Sequence, residues 1–538
     1  MKLVTVEEMR SIEKEADAKG LSYDQMMDKA GKGIARIILE EYGVLENQVA
    51  TALVGTGNNG GDALVTLAAL GQAGWEVRAY LTRPRQEDDP LVYGFVSAGG
   101  KIIEYEKDNH MKQLGEWLET TTVLIDGILG TGIQLPLKPE LSLLLKYVNQ
   151  HPSDPYIVAV DCPSGVDCNS GDADENCISA DITVCMAAVK VGLVRLPAYD
   201  YVGQIRIVDL GFSKCVKSWR EIHLGVISGE DIYPVLPQRA SDAHKGTFGT
   251  ALVVAGSVNY TGAAFLAAKA AYRIGAGLVR LAVPGQIYAA LAGQLPEATW
   301  LILPNDMGVI GANASELVLA NLDRVTALLL GPGWGLENPT AEFLKRLLVE
   351  KNAHVSHRGA IGFIPQAEGG KDEKIKEFPP MVVDADGLKL LAQIEDWNNK
   401  LPPLSVLTPH PGEMSVLTGL DVAEIQNDRI TIACKYARKW QHVVVLKGAF
   451  TVIAAPDGRA DVVPIATPAL ARAGTGDVLS GMIVGLLAQG VSPFDAARAG
   501  AWLHARAGEI AAEMVGNSAS VMAGDVLEAI PEVLNDAV

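Results

Sequence analysis

The sequence predicts an α/β protein in which helices cover the faces of largely parallel sheets. Short apolar runs of strand length alternate with longer helical patterns through both halves of the 538-residue chain. In each half a glycine-rich loop leads into a helix, a position where backbone amides can hold an anionic ligand. At about 100–200 residues per domain, this length allows two to four domains.

A new α/β series starts after the segment VDLGF, so we place a domain boundary between Gly211 and Asp231 and divide the chain into 1–220 and 221–538. The polar stretch Gln366–Glu377 is predicted to be a solvated surface loop. The predicted strands are Val49–Gly55, Val77–Leu81, Val123–Ile125, Ile157–Val160, Ile182–Met186, Ile205–Val208, Ala251–Ala255, Val279–Val283, Ala327–Leu330, Met381–Val383, Ser405–Leu407 and His442–Leu446. The predicted helices are Glu7–Ala18, Asp62–Ala73, Gly262–Ile274, Asp477–Leu487 and Pro493–Met514.

The composition argues against several classes of function, namely binding of nucleic acid or membranes and zinc or redox chemistry. A net charge of -19 gives the chain no electrostatic reason to bind nucleic acid or an anionic membrane. The opening residues lack the apolar core of a secretory signal, and the longest apolar stretch, Val478–Val491, is too short to span a bilayer. The six cysteines form no CxxC pair, which favours free thiols over zinc or redox chemistry. We therefore predict a cytoplasmic protein.

The first glycine-rich loop runs from Gly55 to Asp62 and contains GxGxxG. Its glycines allow a tight turn, and the free amides at the helix start favour a phosphate. A dehydrogenase of the usual kind needs an acidic residue about 20 positions further on. Thr82 and Arg83 occupy that place, which disfavours a dehydrogenase.

The complete string NNGGD at 58–62 is more specific and resembles the signature of NAD(P)H-hydrate epimerases. The segments Asp126–Gly132 and Asp161–Val166 match that family in order and spacing, and the resemblance covers about residues 1–215. Ala63 stands where family members usually carry glycine. The resemblance implies a Rossmann-like three-layer domain.

The resemblance also implies roles for individual residues in the first half. Asp161 would be the catalytic acid or base, and a potassium ion would be coordinated by Asn59, Asp126 and Ser164. Read singly, these residues allow another interpretation, in which Asn59 caps a helix, Asp126 ends a strand and Ser164 lies in a turn. The hydrated cofactor would be contacted by Asn58, Asn59, Gly60, Gly61, Asp62, Gly130, Thr131, Gly132, Ile133, Gln134, Leu135, Pro136 and Asp161.

The second glycine-rich loop, Ala473–Asp477, precedes an apolar helix and resembles the anion hole of ribokinase-like phosphotransferases. Glycine amides at a helix N-terminus can stabilise a phosphoryl group in transfer, and Asp477 can accept a proton from a hydroxyl. The alternative is a glycine turn in which Asp477 only caps the helix.

Further motifs narrow the resemblance to ADP/ATP-dependent NAD(P)H-hydrate dehydratases, over about residues 230–530. They imply a ribokinase-like α/β domain. The motifs are HKGTFG at 244–249, AGS at 255–257, YTGAA at 260–264, YRIGAGLV at 272–279, GPG at 331–333, VDADGL at 383–388, TPHPGE at 408–413 and KGAFT at 447–451.

The family comparison assigns residues to two ligands in this half. A magnesium ion on the nucleotide phosphates is expected from phosphoryl-transfer chemistry. His410 lies between two prolines and has a structural alternative, and Asp384 and Asp386 are either strand-end caps or supports of a magnesium-nucleotide site. The hydrate would be contacted by Ala263, Ala264, Gly333, His410 and Asp477, and ADP or ATP by Lys447, Gly448, Ala449, Phe450, Thr451 and Gly476.

Together the two halves predict the repair of hydrated NADH and NADPH. The first half would interconvert the R and S hydrates, and the second would dehydrate the S form through a phosphorylated intermediate. We expect small-molecule partners and a homo-oligomer. Two alternatives remain: a ribokinase-like kinase for a small alcohol with an accessory first half, and a first half that is a noncatalytic binding module.

Overall fold

A computed structural model gives the structure and describes residues 1–86, 88–349 and 377–535. The chain divides into two compact units, Met1–Val226 and Ile227–Val538. All of the predicted polar loop Gln366–Glu377 except its last residue lies outside the described residues. Within the described ranges, no helix has the length and apolar character needed to cross a membrane.

The first unit is an α/β unit built on a parallel sheet with the strand order β4-β3-β2-β5-β6-β7-β9, beside a parallel pair of β1 and β8. Its strands are β1 (Leu3–Val4), β2 (Val49–Val54), β3 (Glu76–Leu81), β4 (Lys101–Glu104), β5 (Val123–Gly127), β6 (Tyr156–Val160), β7 (Ile182–Met186), β8 (Val189–Lys190), β9 (Gln204–Val208) and β10 (Leu224–Val226). Its helices are α1 (Val6–Ala18), α2 (Tyr23–Tyr42), α3 (Asn58–Gln72), α4 (Pro90–Ser97), α5 (Lys112–Leu118), α6 (Pro139–Gln150), α7 (Tyr199–Val202), α8 (Phe212–Cys215) and α9 (Lys217–Glu221), with short 3-10 turns at Tyr105–Lys107, Asn109–Met111 and Val191–Val194.

Both faces of this sheet are buried. Ala52 and Val54 of β2 pack into a core with α1, α2 and α3, whereas Leu53 packs into a second core with α5 and α6. This alternation follows from the two-residue repeat of a strand and explains why the strands are apolar throughout. The three predicted layers are therefore confirmed.

The second unit is also α/β, with the strand order β21-β20-β19-β18-β17-β16-β11-β12-β13; the pairs from β19 to β13 are parallel, and β20 is antiparallel to both neighbours. Its strands are β11 (Thr250–Val254), β12 (Leu278–Pro284), β13 (Thr299–Leu303), β14 (Asn305–Asp306), β15 (Val309–Ile310), β16 (Ala327–Leu330), β17 (Met381–Val383), β18 (Val406–Leu407), β19 (Val443–Leu446), β20 (Val452–Ala454) and β21 (Ala460–Val462). Its helices are α10 (Gly229–Ile232), α11 (Thr261–Arg273), α12 (Gly285–Ala292), α13 (Ala314–Ala320), α14 (Asn338–Val349), α15 (Asp386–Leu391), α16 (Pro411–Thr418), α17 (Val422–Asn427), α18 (Arg429–Trp440), α19 (Thr475–Ala488), α20 (Pro493–Val515) and α21 (Ala523–Asn535), with 3-10 turns at Tyr233–Val235, Trp397–Asn399, Pro468–Leu470 and Ser518–Ser520.

Helix α19 is the central helix of this unit. Its residues from Val478 to Ala488 are all buried, and it packs against α11, α20 and the strands β11 and β16. Gly481 and Gly485 permit the close contact with α11, because a Cβ on either would come within 3 Å of that helix or of Ile274 just beyond it. The apolar stretch in the sequence is therefore a buried core helix.

Candidate active sites

The first site lies at the carboxyl ends of β2, β5 and β6. Helix α3 starts at Asn58, four residues before the prediction, so the string NNGGD forms its first turns. Gly55 and Gly60 have to be glycine, because a Cβ at Gly55 would lie 1.9 Å from the Ile128 carbonyl oxygen and one at Gly60 would lie 2.0 Å from the Gly55 carbonyl oxygen. Gly57 is the N-cap and supplies no side chain, so amides of the first turn point out of the sheet edge.

Asn59 does not cap α3, so the capping role that its sequence position allowed is wrong. Its side-chain nitrogen donates hydrogen bonds to the carbonyl oxygens of Leu129, at 3.1 Å, and Val160, at 2.5 Å. Gly130 lies directly against the Asn59 amide, since a Cβ there would be 2.4 Å from Oδ1. Asn59 therefore ties the ends of β5 and β6 to the start of α3.

Asp126 and Ser164 form a buried pair next to this junction. Asp126 accepts hydrogen bonds from the Ser164 amide at 2.7 Å and the Ser164 hydroxyl at 2.5 Å. The same hydroxyl accepts a hydrogen bond from the Leu129 amide at 3.0 Å. Burial raises the pKa of Asp126, and the hydrogen bonds from Ser164 oppose that rise.

Asp161 forms a buried ion pair with Lys190, a residue that the motif analysis did not select. The Asp161 backbone adopts φ of 65°, and its carboxylate also accepts a hydrogen bond from the Met186 amide at 2.9 Å. Burial alone would lower the pKa of Lys190, but the negative charge of Asp161 raises it above its ordinary value. The signal in the sequence was a single lysine within the apolar run CMAAVKVGLV.

Two further carboxyl groups surround this ion pair. Burial, reinforced by the negative charges of Asp161 and Glu13, raises the pKa of Asp62 well above its usual range. Burial also raises the pKa of Glu13, although Lys190 opposes the rise. The site thus combines an ion-paired carboxylate with a neighbouring carboxyl group that tends to hold its proton.

The predicted substrate segment 130–136 is the partly exposed loop after β5. Gly132, Ile133 and Gln134 line a cavity of about 300 Å³ that continues past the glycine loop to Thr82 and Arg83. Of the other predicted residues, Asn58 is exposed, whereas Gly60 and Gly61 are buried.

The second site lies at the carboxyl ends of β17, β18 and β19, where α19 begins. Gly474 is the N-cap of α19 with φ of 93°, and it makes no side-chain cap. Asp477 is the third residue of the helix and not its cap, so the capping alternative for Asp477 is wrong.

A buried lysine organises this site as well. Lys447 donates a hydrogen bond to Asp384 at 2.6 Å, and its ammonium nitrogen lies 3.6 Å from a carboxylate oxygen of Glu413. A Cβ on Gly476 would lie 3.5 Å from the same nitrogen, so Lys447 is directly beside the first turn of α19. Asp384 therefore ends its strand in an ion pair, and Asp386 pairs with Lys389 at 3.0 Å.

Asp477 has the electrostatic surroundings of a proton-exchanging group. Burial raises its pKa to about 7, and the negative charges of Asp384, Asp386 and Glu413 contribute, against the opposing charge of Lys447. At neutral pH such a carboxyl group exists in both forms, which suits a general base.

His410 is the N-cap of α16, the structural role that its sequence position left open. Its Nδ1 accepts hydrogen bonds from the amides of Gly412, at 3.0 Å, and Glu413, at 3.3 Å, while Nε2 lies 3.2 Å from a Glu413 carboxylate oxygen. The half-exposed ring still borders the site through Glu413, which also contacts Lys447.

The other predicted residues of the second half separate into two groups. Gly333, with φ of 64°, packs on Ala263, since a Cβ on Gly333 would lie 2.7 Å from the Ala263 Cβ. Ala264 is completely buried and lies against Gly256. Ala264 is therefore closed to a ligand, and Ala263 is the alanine of this pair that a substrate can reach.

The segment 447–451 forms the turn from β19 to β20. Gly448 and Ala449 are exposed, Phe450 is buried with φ of 54°, and the Thr451 hydroxyl donates a hydrogen bond to the Gly448 carbonyl at 2.8 Å. Arg429 supports the turn by donating to the Lys447 carbonyl oxygen at 3.1 Å. Sequence analysis missed Arg429, because nothing in its local pattern marks it.

No group of three or more His, Cys, Asp or Glu side chains suited to a metal ion occurs within 1–86, 88–349 and 377–535. All six cysteines are free thiols.

Each of the two α/β units thus carries a glycine-rich helix start beside buried carboxyl groups, an arrangement typical of enzymes that bind phosphorylated ligands. A family model described as NAD(P)H-hydrate dehydratase matches residues 251–532, and one described as YjeF-related protein N-terminus matches residues 23–192. The chain belongs to the family of bifunctional NAD(P)H-hydrate repair enzymes, as the motif resemblance predicted.

Relatives of this family match nearly the whole chain. The bifunctional NAD(P)H-hydrate repair enzyme Nnr of Moorella thermoacetica is 35% identical over 100% of this chain and 97% of its own length. The enzyme of the same name from Escherichia coli is 31% identical over 99% of this chain and 94% of its own. Among solved structures, the ADP/ATP-dependent NAD(P)H-hydrate dehydratase of Bacillus subtilis, co-crystallised with ATP and Mg²⁺, is 29% identical with a TM-score of 0.47, and covers 58% of this chain and 99% of that one.

Proposed function

We propose that this chain repairs hydrated NADH and NADPH, with an epimerase site in the first unit and an ADP- or ATP-dependent dehydratase site in the second. The observation that carries the proposal is the full-length similarity to bifunctional repair enzymes. It is supported by two sites that each combine a buried lysine–aspartate pair with a neighbouring carboxyl group of raised pKa.

In the epimerase site, Asp62 donates one proton and Asp161 accepts another. The hydrate carries a hydroxyl on the ring carbon beside the nitrogen. Asp62, protonated because burial raises its pKa, donates a proton to that hydroxyl, so that the carbon–oxygen bond breaks and water leaves. Water then adds to the other face of the ring, and Asp161, which forms an ion pair with Lys190, accepts the proton that this water loses. No electron is gained or lost.

The contacts of the epimerase site would come from both of its loops. Asn58–Asp62 supplies first-turn amides for the phosphates, and Gly130–Pro136 borders the cavity beside them. Both segments lie at carboxyl ends of neighbouring strands, where open α/β sheets bind their ligands.

A potassium ion suits Asn59, Asp126 and Ser164. The Asp126 carboxylate is buried, and the groups that lower its pKa are the neutral donors of Ser164 and Ile128. Such a carboxylate, with amide and hydroxyl oxygens beside it, fits a hard cation that prefers oxygen ligands. When bound, the ion would supply positive charge near the phosphates of the substrate.

In the dehydratase site, Asp477 is the proposed base. It accepts the proton of the ring hydroxyl while the terminal phosphoryl group of the nucleotide transfers to the hydroxyl oxygen. Amides of the first turn of α19, Gly476 among them, and the Lys447 ammonium stabilise the charge on that group. The carbon–oxygen bond then breaks and phosphate leaves, and the adjacent ring carbon loses a proton to water, which restores the dihydronicotinamide.

In the dehydratase site, the residues that are proposed to contact the ligands are mostly ones that are accessible to solvent. Ala263, Gly333 and His410 would border the hydrate, and the turn from Lys447 to Thr451 would border the nucleotide. A magnesium ion on the nucleotide phosphates would have Asp384 as its nearest carboxylate, because both Glu413 oxygens are engaged by His410 and Lys447, and one carboxylate besides phosphate oxygens is enough for magnesium. When bound, it neutralises phosphate charge.

The test follows recovery of dihydronicotinamide absorbance from a mixture of R and S hydrates. With ADP or ATP and potassium, the whole mixture is expected to be repaired, and without nucleotide none of it. Replacing potassium by sodium is expected to slow repair of the R form only. Phosphorylation of a small alcohol without any repair of hydrate would instead support the kinase alternative.

We also propose that the enzyme works in the cytoplasm as a homo-oligomer. The six free thiols support a reducing compartment. Sedimentation of the purified chain tests its oligomeric state.

A further inference from the structure

The cavity of about 300 Å³ in the first unit extends beyond the residues proposed to act on the hydrated ring. It lies outside the carboxyl ends of β2, β3 and β5, and its walls include Thr56, Thr82, Arg83 and Ile128. Asp161 lies at the end of β6, three strands away from β3 in the order β3-β2-β5-β6. Neighbouring strands are about 4.8 Å apart, so the part of the cavity at the end of β3 lies about 14 Å from the end of β6, where Asp161 follows, and the part at the end of β5 lies one strand from it. An extended dinucleotide can bridge such a distance.

The cavity walls are suited to a nucleoside. Its lining residues include the apolar side chains of Tyr105, Ile133, Leu137 and Leu141 and the polar side chains of Thr82, Arg83 and Glu140. Its volume is at the lower end of the range for small-molecule sites, which fits one part of a large ligand better than the whole. Gly55 and Thr56 of the glycine loop line this cavity, and α3 starts after β2, between the ends of β3 and β6, where a linking pyrophosphate would meet backbone amides.

Arg83 follows the end of β3, the position that distinguishes the two cofactors in dinucleotide-binding folds. An acidic residue there binds the ribose 2′-hydroxyl of NAD, whereas an arginine accommodates the 2′-phosphate of NADP. The Arg83 side chain is 58% exposed, and its guanidinium lies 3.5 Å from a carboxylate oxygen of Glu140, so it is only loosely held. Arg85 is not free to bind a phosphate, because it donates hydrogen bonds to Asp89 at 2.6 Å and to the Gly55 carbonyl oxygen at 3.1 Å.

We propose that this cavity holds the adenosine half of the hydrated cofactor and that Arg83 binds its 2′-phosphate, so that the epimerase prefers the hydrate of NADPH. This inference rests on the proposed epimerase function and adds a specificity determinant to it. Glu140 sets the strength of the preference, because its carboxylate competes with the phosphate for Arg83 and repels it.

The experiment measures epimerisation of NADPH hydrate and NADH hydrate separately, and inhibition by ADP-ribose and by its 2′-phosphate. Arg83→Gln is expected to lower kcat/KM for NADPH hydrate by about 10- to 100-fold, the usual effect of losing charge-assisted hydrogen bonds, and to leave NADH hydrate within a few-fold. Inhibition by the 2′-phosphorylated probe is expected to weaken in parallel. Glu140→Gln is expected to change the preference in the opposite direction.

The matched control is Lys101→Gln, which removes one positive charge from an exposed side chain at the amino end of β4. It is expected to change neither the preference nor the inhibition, which separates a local contact from the overall charge of the unit. Equal effects of Arg83→Gln on both hydrates, or no effect on either, would overturn the inference while epimerisation itself still supports the proposed function. If the unchanged protein epimerised neither hydrate, the proposed function would fail instead.

Discussion

The two sites resemble each other more closely in electrostatics than in sequence. In each unit a buried lysine pairs with an aspartate that follows a strand, Lys190 with Asp161 and Lys447 with Asp384. In each, a second aspartate in the first turns of a glycine-rich helix has a raised pKa, and these are Asp62 and Asp477. The paired aspartate is held by a lysine, whereas its unpaired neighbour has a raised pKa and can hold or release a proton.

The two sites differ in which aspartate the sequence motifs select as the catalytic acid or base. In the second unit the motif GTGD contains Asp477, the group with the raised pKa. In the first unit, comparison with the family selects Asp161, the partner of Lys190, and treats Asp62 only as a substrate contact. The role of a carboxyl group therefore depends on a lysine outside its own motif: Lys447 belongs to the separate motif KGAFT, and Lys190 belongs to none of the motifs.

The largest expected effect comes from Asp477→Asn. The change keeps the shape of the side chain but removes the basic carboxylate, and loss of a general base typically costs about 10²–10⁴-fold in rate. Dehydration of the S hydrate is expected to fall by that factor, while epimerisation of the R hydrate continues. Rates of both reactions in the same preparation measure it, with thermal unfolding as a check on folding. Near-normal dehydration by this variant would require another base.

Asp62→Asn and Asp161→Asn test whether the first site divides its roles in the same way. Each is expected to slow epimerisation by at least about 10²-fold, because each removes one of the two proton transfers. Dehydration of the S hydrate is expected to continue in both variants, and the R hydrate is expected to stay unrepaired.

The two variants are expected to differ in their free energy of unfolding. Asp161→Asn leaves the buried Lys190 without its anion, and breaking a buried pair typically costs about 3–5 kcal/mol. Asp62→Asn removes a carboxyl group that burial already disfavours, so no such loss is expected. Equal loss of stability in both variants, measured by denaturant unfolding, would contradict the assignment of Asp161 as the paired carboxylate.

The pH dependence of dehydration is expected to show a smaller change in rate than the substitutions above. Because the pKa of Asp477 is about 7 and the base must be ionised, kcat/KM should fall about tenfold per pH unit below 7 and level off above it. Asp386→Asn removes one of the negative charges that raise this pKa, so the midpoint should move to lower pH. A profile for dehydration that stays flat from pH 5 to 8 would exclude Asp477 as the base.

Twelve strands were predictable because buried parallel strands are continuous apolar runs between loops, whereas the partly exposed strands β4 and β13 were missed. Each predicted strand forms within two residues of its predicted ends. Helix α2 was missed, although Ser22 and Gln25 form a capping box at its start and its buried side chains recur at helical spacing. The start of α3 was placed too late, since the sequence of two asparagines and two glycines reads as a loop.

The sites were predictable only where a local motif contains the group concerned. NNGGD and GTGD each mark a helix start, and both helices begin there. Lys190 pairs with a residue 29 positions away, and the contact of Glu413 with Lys447 depends on the packing of β18 against β19. Such partners follow from the fold and leave no fixed spacing in the sequence.

The smallest expected effect concerns the polar stretch Gln366–Glu377, which lies in the chain segment of the dehydratase half and has no counterpart in the motifs of either site. Its charge and its paired glycines predict a surface insertion without a catalytic role. Replacing it by a short Gly-Ser link should leave both reactions within a few-fold of their original rates, measured on the separate R and S hydrates. Because the groups proposed for catalysis, Asp161 and Asp477 included, all lie outside this stretch, the epimerase rate serves as the internal control for folding. A folded variant that epimerises normally but no longer dehydrates would show that the second site, unlike the first, depends on a covering loop. The two sites would then resemble each other only in their carboxyl groups.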